Sequence, residues 1–125
     1  MIYPSESEEQ IALFEWAELH KNRYRGLELM FHVPNGGARS KSEGARLKRE
    51  GVKAGVPDIF LPVPLGKYHG LFIELKRQGK YTLSKPQEEM LQKLASQGYA
   101  AFVCQGFMEA KSVIETYYMG GEKHG

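Results

Sequence analysis

The segment that decides the fold reads Leu71-Phe72-Ile73-Glu74-Leu75-Lys76, a run of strand-forming residues that carries two charges. Side chains alternate across a β-strand, so Phe72, Glu74 and Lys76 share one face and the other three residues share the opposite face. A sheet covered by helices normally buries both faces. A carboxylate and an ammonium two residues apart break that pattern, and such local violations tend to mark functional sites.

A third charged residue opens an apolar strand sixteen residues before Glu74. Asp58 directly follows Pro57, and proline is tolerated at the first residue of a strand. The loop 64–70 has a length suited to a hairpin, which would bring Asp58 beside Glu74. Two close carboxylates repel each other unless a cation lies between them, and Mg²⁺ prefers carboxylate oxygens, waters and phosphate. The pattern alone leaves open a Glu74–Lys76 ion pair on a solvated edge strand, with Asp58 as a turn residue.

Helix and strand signals are mixed along the whole chain. Helices are predicted over 5–20, 42–50, 84–97 and 107–118, and strands over 28–33, 58–63, 71–76 and 99–104. Ser84 with Gln87 forms a capping box before the third helix. The continuously apolar run 99–104 indicates a strand covered on both faces. The order α-β-α-β-β-α-β-α therefore predicts an α/β fold in which helices cover a sheet.

Length and composition limit the classes of protein that this chain fits. Its 125 residues predict one domain over 1–125, with a flexible tail at 119–125. The single cysteine, Cys104, excludes an intramolecular disulfide and a multi-cysteine zinc site. No apolar run approaches the ~20 residues that a membrane span needs, and the N-terminus does not look like a signal peptide. We therefore expect a cytoplasmic protein that is not in a membrane.

Basic residues are concentrated in one part of the chain. Between Arg39 and Lys53 there are six basic residues against two acidic ones. Such a stretch can neutralise DNA phosphates, although a solvated surface helix is the alternative. The turn 35–37 before it could bring backbone N–H groups to a phosphate, and an ordinary turn is the alternative there. The candidate DNA-binding residues are Asn35, Gly36, Gly37, Arg39, Lys41, Arg46, Lys48 and Arg49.

Two segments carry a family resemblance, Gly55-Val56-Pro57-Asp58-Ile59-Phe60 and Gly70-Leu71-Phe72-Ile73-Glu74-Leu75-Lys76. Together they resemble the signature of the PD-(D/E)xK nucleases, and more narrowly the VRR-NUC domain family, including its stand-alone, phage-type members. Three further matches are Glu6 with Gln10, the segment 32–37 with Arg39, and Leu83-Ser84 with Gln87. The resemblance covers residues 5 to about 107. It implies a restriction-endonuclease-like core with a mixed β-sheet flanked by helices.

The resemblance also implies a metal-dependent endodeoxyribonuclease whose catalytic residues are Asp58, Glu74 and Lys76. Its cofactor would be Mg²⁺, with Mn²⁺ as a substitute, and Lys76 would position and stabilise charge or act as a base. The implied metal ligands are Asp58, Glu74, the backbone carbonyl of Leu75 and Glu6, which would bind directly or through water, with Glu9 as the alternative to Glu6. Gln10 and Gln87 would support the site, although the capping box alone could explain Gln87.

The substrate implied by the resemblance is branched DNA, as in a Holliday junction resolvase that works as a homodimer. An enzyme that cuts or nicks duplex DNA with less regard for structure is one alternative. A DNA-binding module without turnover is an alternative from another class. If the chain is phage-encoded, we expect it in the host cytoplasm.

Overall fold

Helices and strands succeed one another along residues 2–34 and 40–124, the part of the chain that this computed structural model describes, with residues 121–124 described by backbone alone. The helices are α1 (Glu6–His20), α2 (Lys41–Arg49), α3 (Lys85–Ser96) and α4 (Gly106–His124). The strands are β1 (Phe31–His32), β2 (Ile59–Leu61), β3 (Leu71–Lys76) and β4 (Ala100–Gln105). This confirms the predicted α/β fold and its order of elements.

One mixed sheet runs through the domain in the order β1-β2-β3-β4. The pairs β1–β2 and β2–β3 are antiparallel, whereas β3 and β4 are parallel. β2 and β3 form the predicted hairpin, and the parallel step to β4 is made through α3. Since parallel strands need such a crossover, α3 must cross the sheet before β4 begins.

The core lies on the sheet face that α1 and α4 cover. Ile59, Ile73 and Leu75 from the strands are each at most 1% exposed. They pack with Leu13 of α1 and Ile114 of α4, which are fully buried. Burying a side chain of this size stabilises a fold by roughly 1.5–3 kcal/mol. This apolar layer fixes β3, and therefore also the charged residues on its opposite face.

The predicted strand over 28–33 is wrong in its first half. Residues Leu27–Leu29 form a 3₁₀ turn, and only Phe31–His32 pair with β2. The cause is the apolar spacing: Leu27 and Met30 are the buried residues, three positions apart, which suits a tight turn rather than the two-residue period of a strand. Gly26 starts the turn with a φ of 82°, a left-handed conformation that glycine adopts without steric cost.

The last two elements also differ from the sequence prediction. β4 is an edge strand, and Phe102 at its centre is 46% exposed, so the strand is not covered on both faces. α4 continues to His124, past residue 118 where the sequence predicted its end. Tyr117 and Tyr118 are buried against the core and hold the C-terminal half of α4, even though Gly120 and Gly121 disfavour a helix. None of the described helices combines the length and apolar character that a membrane span requires.

Candidate active site

Asp58 and Glu74 lie opposite each other at one end of the β2–β3 hairpin. The register pairs Ile59 with Ile73, and one further step along both strands places Asp58 opposite Glu74. Both side chains therefore point away from the core face that Ile59 and Ile73 occupy. The two carboxyl groups are close enough to share a hydrogen bond.

The backbone and side chain of Asp58 are both fixed by neighbouring strands. Its carbonyl oxygen accepts hydrogen bonds from the backbone N–H of Val33 at 2.6 Å and from the ring Nδ1 of His32 at 2.9 Å. Its Oδ2 accepts a hydrogen bond from the backbone N–H of Leu75 at 2.8 Å. These contacts tie Asp58 to β1 on one side and to β3 on the other, so its carboxylate has little freedom to rotate.

Glu74 is a buried carboxyl group, only 3% exposed. Burial is the main cause that raises its pKa to about 9, and the neighbouring Asp58 raises it further through a hydrogen bond and charge repulsion. Lys76 opposes this shift, with its Nζ 4.0 Å from Oε2 of Glu74. The side chain is therefore protonated at neutral pH unless further positive charge comes close.

Lys76 is held by the first turn of α3. Its Nζ donates a hydrogen bond to Oε1 of Gln87 at 3.0 Å. The same Oε1 accepts a hydrogen bond from the backbone N–H of Ser84 at 2.9 Å, which closes the predicted capping box. The two roles that the sequence left as alternatives for Gln87 thus occur together in one atom.

Glu6 belongs to this site, at the start of α1. Burial raises its pKa, the charge of Asp58 raises it further, and Lys76 and His32 lower it. Glu6 also lines the same cleft as Lys76. Gln10 lies one helical turn further along α1 and is half-buried.

Glu9 occupies a different environment. It is 6% exposed, and its two oxygens accept hydrogen bonds from Nε2 of Gln78 at 2.7 Å and from the backbone N–H of Phe107 at 3.1 Å. It thereby joins α1 to the segment after β3 and to the first turn of α4. Of the two N-terminal acids that the sequence offered, Glu6 lines a cleft with Lys76, whereas both oxygens of Glu9 are engaged in this network.

Comparisons with known proteins give the family and the fold of this chain. The sequence profile of the VRR-NUC domain matches residues 5–108, which is most of the chain. The chain belongs to the VRR-NUC domain family. A solved structure described as a VRR_NUC domain protein has 34% sequence identity and a TM-score of 0.84, over 97% of this chain and 93% of the other. No curated protein matches the sequence.

Membership in the VRR-NUC family implies a nuclease function that acts on DNA. The family resemblance noted in the sequence is therefore confirmed, as is the mixed sheet flanked by helices that it implied. The positions that carried the resemblance, Asp58, Glu74 and Lys76, are the ones that the hairpin and α3 bring together.

The carboxyl oxygens of this site are ligands that suit a hard divalent cation. Among the described residues, no group of three or more His, Cys, Asp or Glu side chains is arranged to hold a metal. Asp58 and Glu74 provide two carboxyl groups instead, and such a pair leaves other coordination positions to water and phosphate, as Mg²⁺ prefers. Burial and the neighbouring Asp58 raise the pKa of Glu74, and a divalent cation bound between the two carboxyl groups would lower it.

The expected DNA-binding residues fall into two groups. Asn35, Gly36, Gly37 and Arg39 lie outside the described residues. Lys41, Arg46, Lys48 and Arg49 are exposed on α2, which buries none of its residues. Arg46 also forms an exposed ion pair with Glu50 at 2.9 Å. A helix with this composition is free to contact a phosphate backbone.

Two features of the site were not recognised in the sequence. His32 lies in a predicted strand and in one segment of the family resemblance, but neither indicates that its ring supports the backbone of Asp58. The segment after β3 forms the wall of a cleft of about 440 Å³ that opens beside Lys76. The cleft is lined by Glu6, Lys76, Arg77, Lys80, Tyr81 and Thr82. Its basic residues directly follow the Glu-Leu-Lys motif, which was the one signal that could have revealed them.

Proposed function

We propose that this VRR-NUC domain is a metal-dependent endodeoxyribonuclease that hydrolyses phosphodiester bonds in branched DNA. One observation carries the proposal: Asp58 and Glu74 stand opposite each other with the ammonium of Lys76 4.0 Å from Glu74. Paired carboxylates beside a lysine suit phosphodiester hydrolysis, because that reaction needs a cation and a group that stabilises negative charge.

Asp58 and Glu74 would hold Mg²⁺ or Mn²⁺ with the backbone carbonyl of Leu75, and Glu6 would contribute directly or through water. When bound, the metal would supply Lewis acidity at the scissile phosphate and lower the pKa of a bound water. Asp58 has one carboxylate oxygen committed to the N–H of Leu75, which leaves the other for this purpose.

We assign Lys76 an electrostatic and positioning role. Gln87 holds its ammonium by a hydrogen bond at 3.0 Å, and Glu74 lies within ion-pair distance. Both contacts fix the position of the Lys76 side chain beside the carboxyl pair. A fixed positive charge next to the reaction centre stabilises the charge that develops on phosphate oxygens.

Selectivity for branched DNA, such as a Holliday junction, would come from a homodimer in which each protomer cuts one of two strands at the branch. An edge strand supports a homodimer: within the described part of the chain, no strand pairs with the outer edge of β4. The sequence Ala-Ala-Phe-Val-Cys-Gln of β4 contains neither charge nor proline, which are the usual protections of an edge. An open, mostly apolar groove of about 760 Å³ runs beside it, lined in part by Phe102 and Val113.

Charge complementarity favours a second copy as the partner of this edge. Lys67 lines the groove with Ala100, at the start of β4, and the charge of Glu109 acts on Cys104 near its end. If two β4 strands pair antiparallel about a two-fold axis, the start of one strand lies beside the end of the other. Lys67 of each copy would then approach Glu109 of the other copy, twice per dimer.

The nuclease is tested with labelled four-way junction, 5′ flap, duplex and single-stranded DNA, each with Mg²⁺, Mn²⁺ or EDTA. We expect metal-dependent paired cuts at the junction that are lost in Asp58→Asn. Equal cutting of every substrate would support the nuclease activity but contradict the selectivity for branched DNA. Junction binding without cutting under any condition would contradict the enzyme and favour a binding module.

The dimer is tested by sedimentation velocity on the charge-swap variants Lys67→Glu and Glu109→Lys. Each single swap should weaken dimerisation, because it places like charges together, and the double swap should restore it. Lys93→Glu, a charge reversal on the exposed surface of α3, is the matched control. A wild-type monomer at micromolar concentration, or single swaps without effect, would contradict this interface.

A further inference from the structure

The cleft beside Lys76 has the composition of a nucleotide-binding site. Arg77 and Lys80 are exposed in its wall and carry positive charge, and Tyr81 presents an aromatic ring that is 43% exposed. Arginine and lysine bind phosphate, and an exposed aromatic ring offers a base a surface for stacking. Both kinds of group occur within five residues of the chain, directly after the catalytic lysine.

The wall of the cleft is anchored by three contacts at Gln78 and Gly79, two to three residues before Tyr81. Gln78 donates from Nε2 to the buried carboxylate of Glu9 at 2.7 Å. The carbonyl of Gly79 accepts a hydrogen bond from Nε2 of Gln105 at 2.8 Å. The ring of Tyr3 packs so closely on Gly79 that an added Cβ there would lie 3.2 Å from it. A stacking surface held in this way loses little conformational entropy on binding.

Resting on the nuclease function proposed above, we propose that this cleft binds one unpaired nucleotide of the DNA next to the cleavage site. The base stacks on Tyr81, and the phosphates on either side contact Arg77 and Lys80. A fully paired duplex keeps its bases stacked on one another and cannot offer one to Tyr81 without the cost of unstacking. Among branched DNAs that the enzyme cuts, the cleft therefore favours those with an unpaired nucleotide at the branch, such as a flap, over a fully paired four-way junction.

The test uses the full-length Asp58→Asn protein, which should bind DNA without cutting it, and a 5′ flap that carries 2-aminopurine at the first unpaired nucleotide. Stacking on an aromatic ring quenches the fluorescence of 2-aminopurine. We expect quenching on binding that Tyr81→Phe retains and Tyr81→Leu loses, with affinity for the flap roughly tenfold weaker in the leucine variant. The flap-to-duplex affinity ratio should fall in parallel.

The phosphate contacts are tested by the salt dependence of the same binding. Lys80→Ala and Arg77→Ala should each lower the slope of log affinity against log salt by about 1, because each removes one phosphate contact. Lys93→Ala, which removes an exposed lysine of α3, should leave the slope unchanged.

Two results would overturn the proposal and can be told apart. In the first result, the wild-type protein cuts DNA, but quenching is absent or is equal with tyrosine, phenylalanine and leucine at position 81. This result would support the nuclease function and contradict the nucleotide site. If the wild-type protein neither cuts nor binds any of the DNAs, the nuclease itself is contradicted and the nucleotide site is contradicted with it.

Discussion

The backbone N–H of Leu75 donates a hydrogen bond to Oδ2 of Asp58 at 2.8 Å, so the main chain of one motif residue holds the side chain of another. A strand N–H that would otherwise pair with a backbone carbonyl is satisfied by a carboxylate. The position of the Asp58 carboxylate and the integrity of β3 therefore depend on the same hydrogen bond.

Asparagine and alanine at position 58 should consequently differ in stability but not in activity. Asp58→Asn keeps an oxygen that can accept from Leu75 and should fold with near-normal stability. Asp58→Ala leaves that N–H without its acceptor, which costs about 1–3 kcal/mol. Both should lose cleavage by a factor of about 100 or more, because a metal-binding carboxylate is gone. Urea denaturation with a cleavage assay checks this, and a fully active Asp58→Asn would contradict the role of the carboxylate.

Glu74→Gln should make the metal-free protein more stable while it abolishes cleavage. The folded-state pKa of Glu74 is about 9, above its usual value of 4.5, so the folded state keeps a proton that the unfolded state loses. Stability in EDTA should be full below pH 4.5 and decline as the pH rises toward 9. The glutamine variant lacks this decline, and its Tm at pH 8 should exceed that of the wild type.

Thermal denaturation in EDTA at pH 6 and pH 8 measures this effect. At this chain length, each kcal/mol corresponds to a Tm change of roughly 4 °C. Glu88→Gln, on the exposed surface of α3, is the matched control and should follow the wild type. A glutamine variant at position 74 that melts below the wild type at pH 8 would contradict the raised pKa of Glu74, whose main cause is burial.

Substitution of Glu6 should affect activity, whereas substitution of Glu9 should affect stability. Glu9→Ala removes a buried carboxylate and leaves the amide of Gln78 and the N–H of Phe107 unsatisfied, at a cost of about 3 kcal/mol. Glu6→Ala removes an exposed side chain and should change stability by less than about 0.5 kcal/mol. Only the Glu6 variant should weaken Mg²⁺ activation while the fold stays intact. Normal stability of the Glu9 variant, combined with lost metal activation, would reverse these assignments.

Gln87 should matter for catalysis beyond its role as a cap. Ser84→Ala and Gln87→Ala each break the capping box and should each cost about 1 kcal/mol. Only Gln87→Ala also releases Lys76, so its cleavage rate should fall roughly tenfold further at equal stability. Kinetics at a temperature where both variants are folded makes the comparison, and equal rates would show that Lys76 does not need its partner.

The central motif was accessible from the sequence because its spacing encodes its geometry. Two strands joined by a short loop form a hairpin, and a hairpin places Asp58 beside Glu74. The alternation of side chains along 71–76 then puts Lys76 on the same face as Glu74. The sequence only partly distinguished the roles of Glu6 and Glu9. Glu9 shares a helix face with Leu13 and Trp16, and that face turns out to be the buried one.

Other features depend on contacts between distant segments that local patterns do not contain. His32 supports Asp58 because β1 pairs with β2 in one register. A strand of two residues is too short for its sequence to predict that register. The exposed edge at Phe102 follows from the position of β4 in the sheet, not from its composition, which had indicated a covered strand. The cleft at Tyr81 needs Glu9 and Gln105 to hold its wall from opposite sides.

The Oε1 atom of Gln87 accepts both the N–H that begins α3 and the ammonium of Lys76. Fraying of that first helical turn and displacement of the lysine are therefore a single event. Helix ends open at much lower free energy than the whole domain. Activity should consequently decline on heating well before the domain melts, in step with hydrogen exchange at the first turn of α3. The upper working temperature of the enzyme would then be set by one turn of helix, and a stronger cap would raise it without any change to the core.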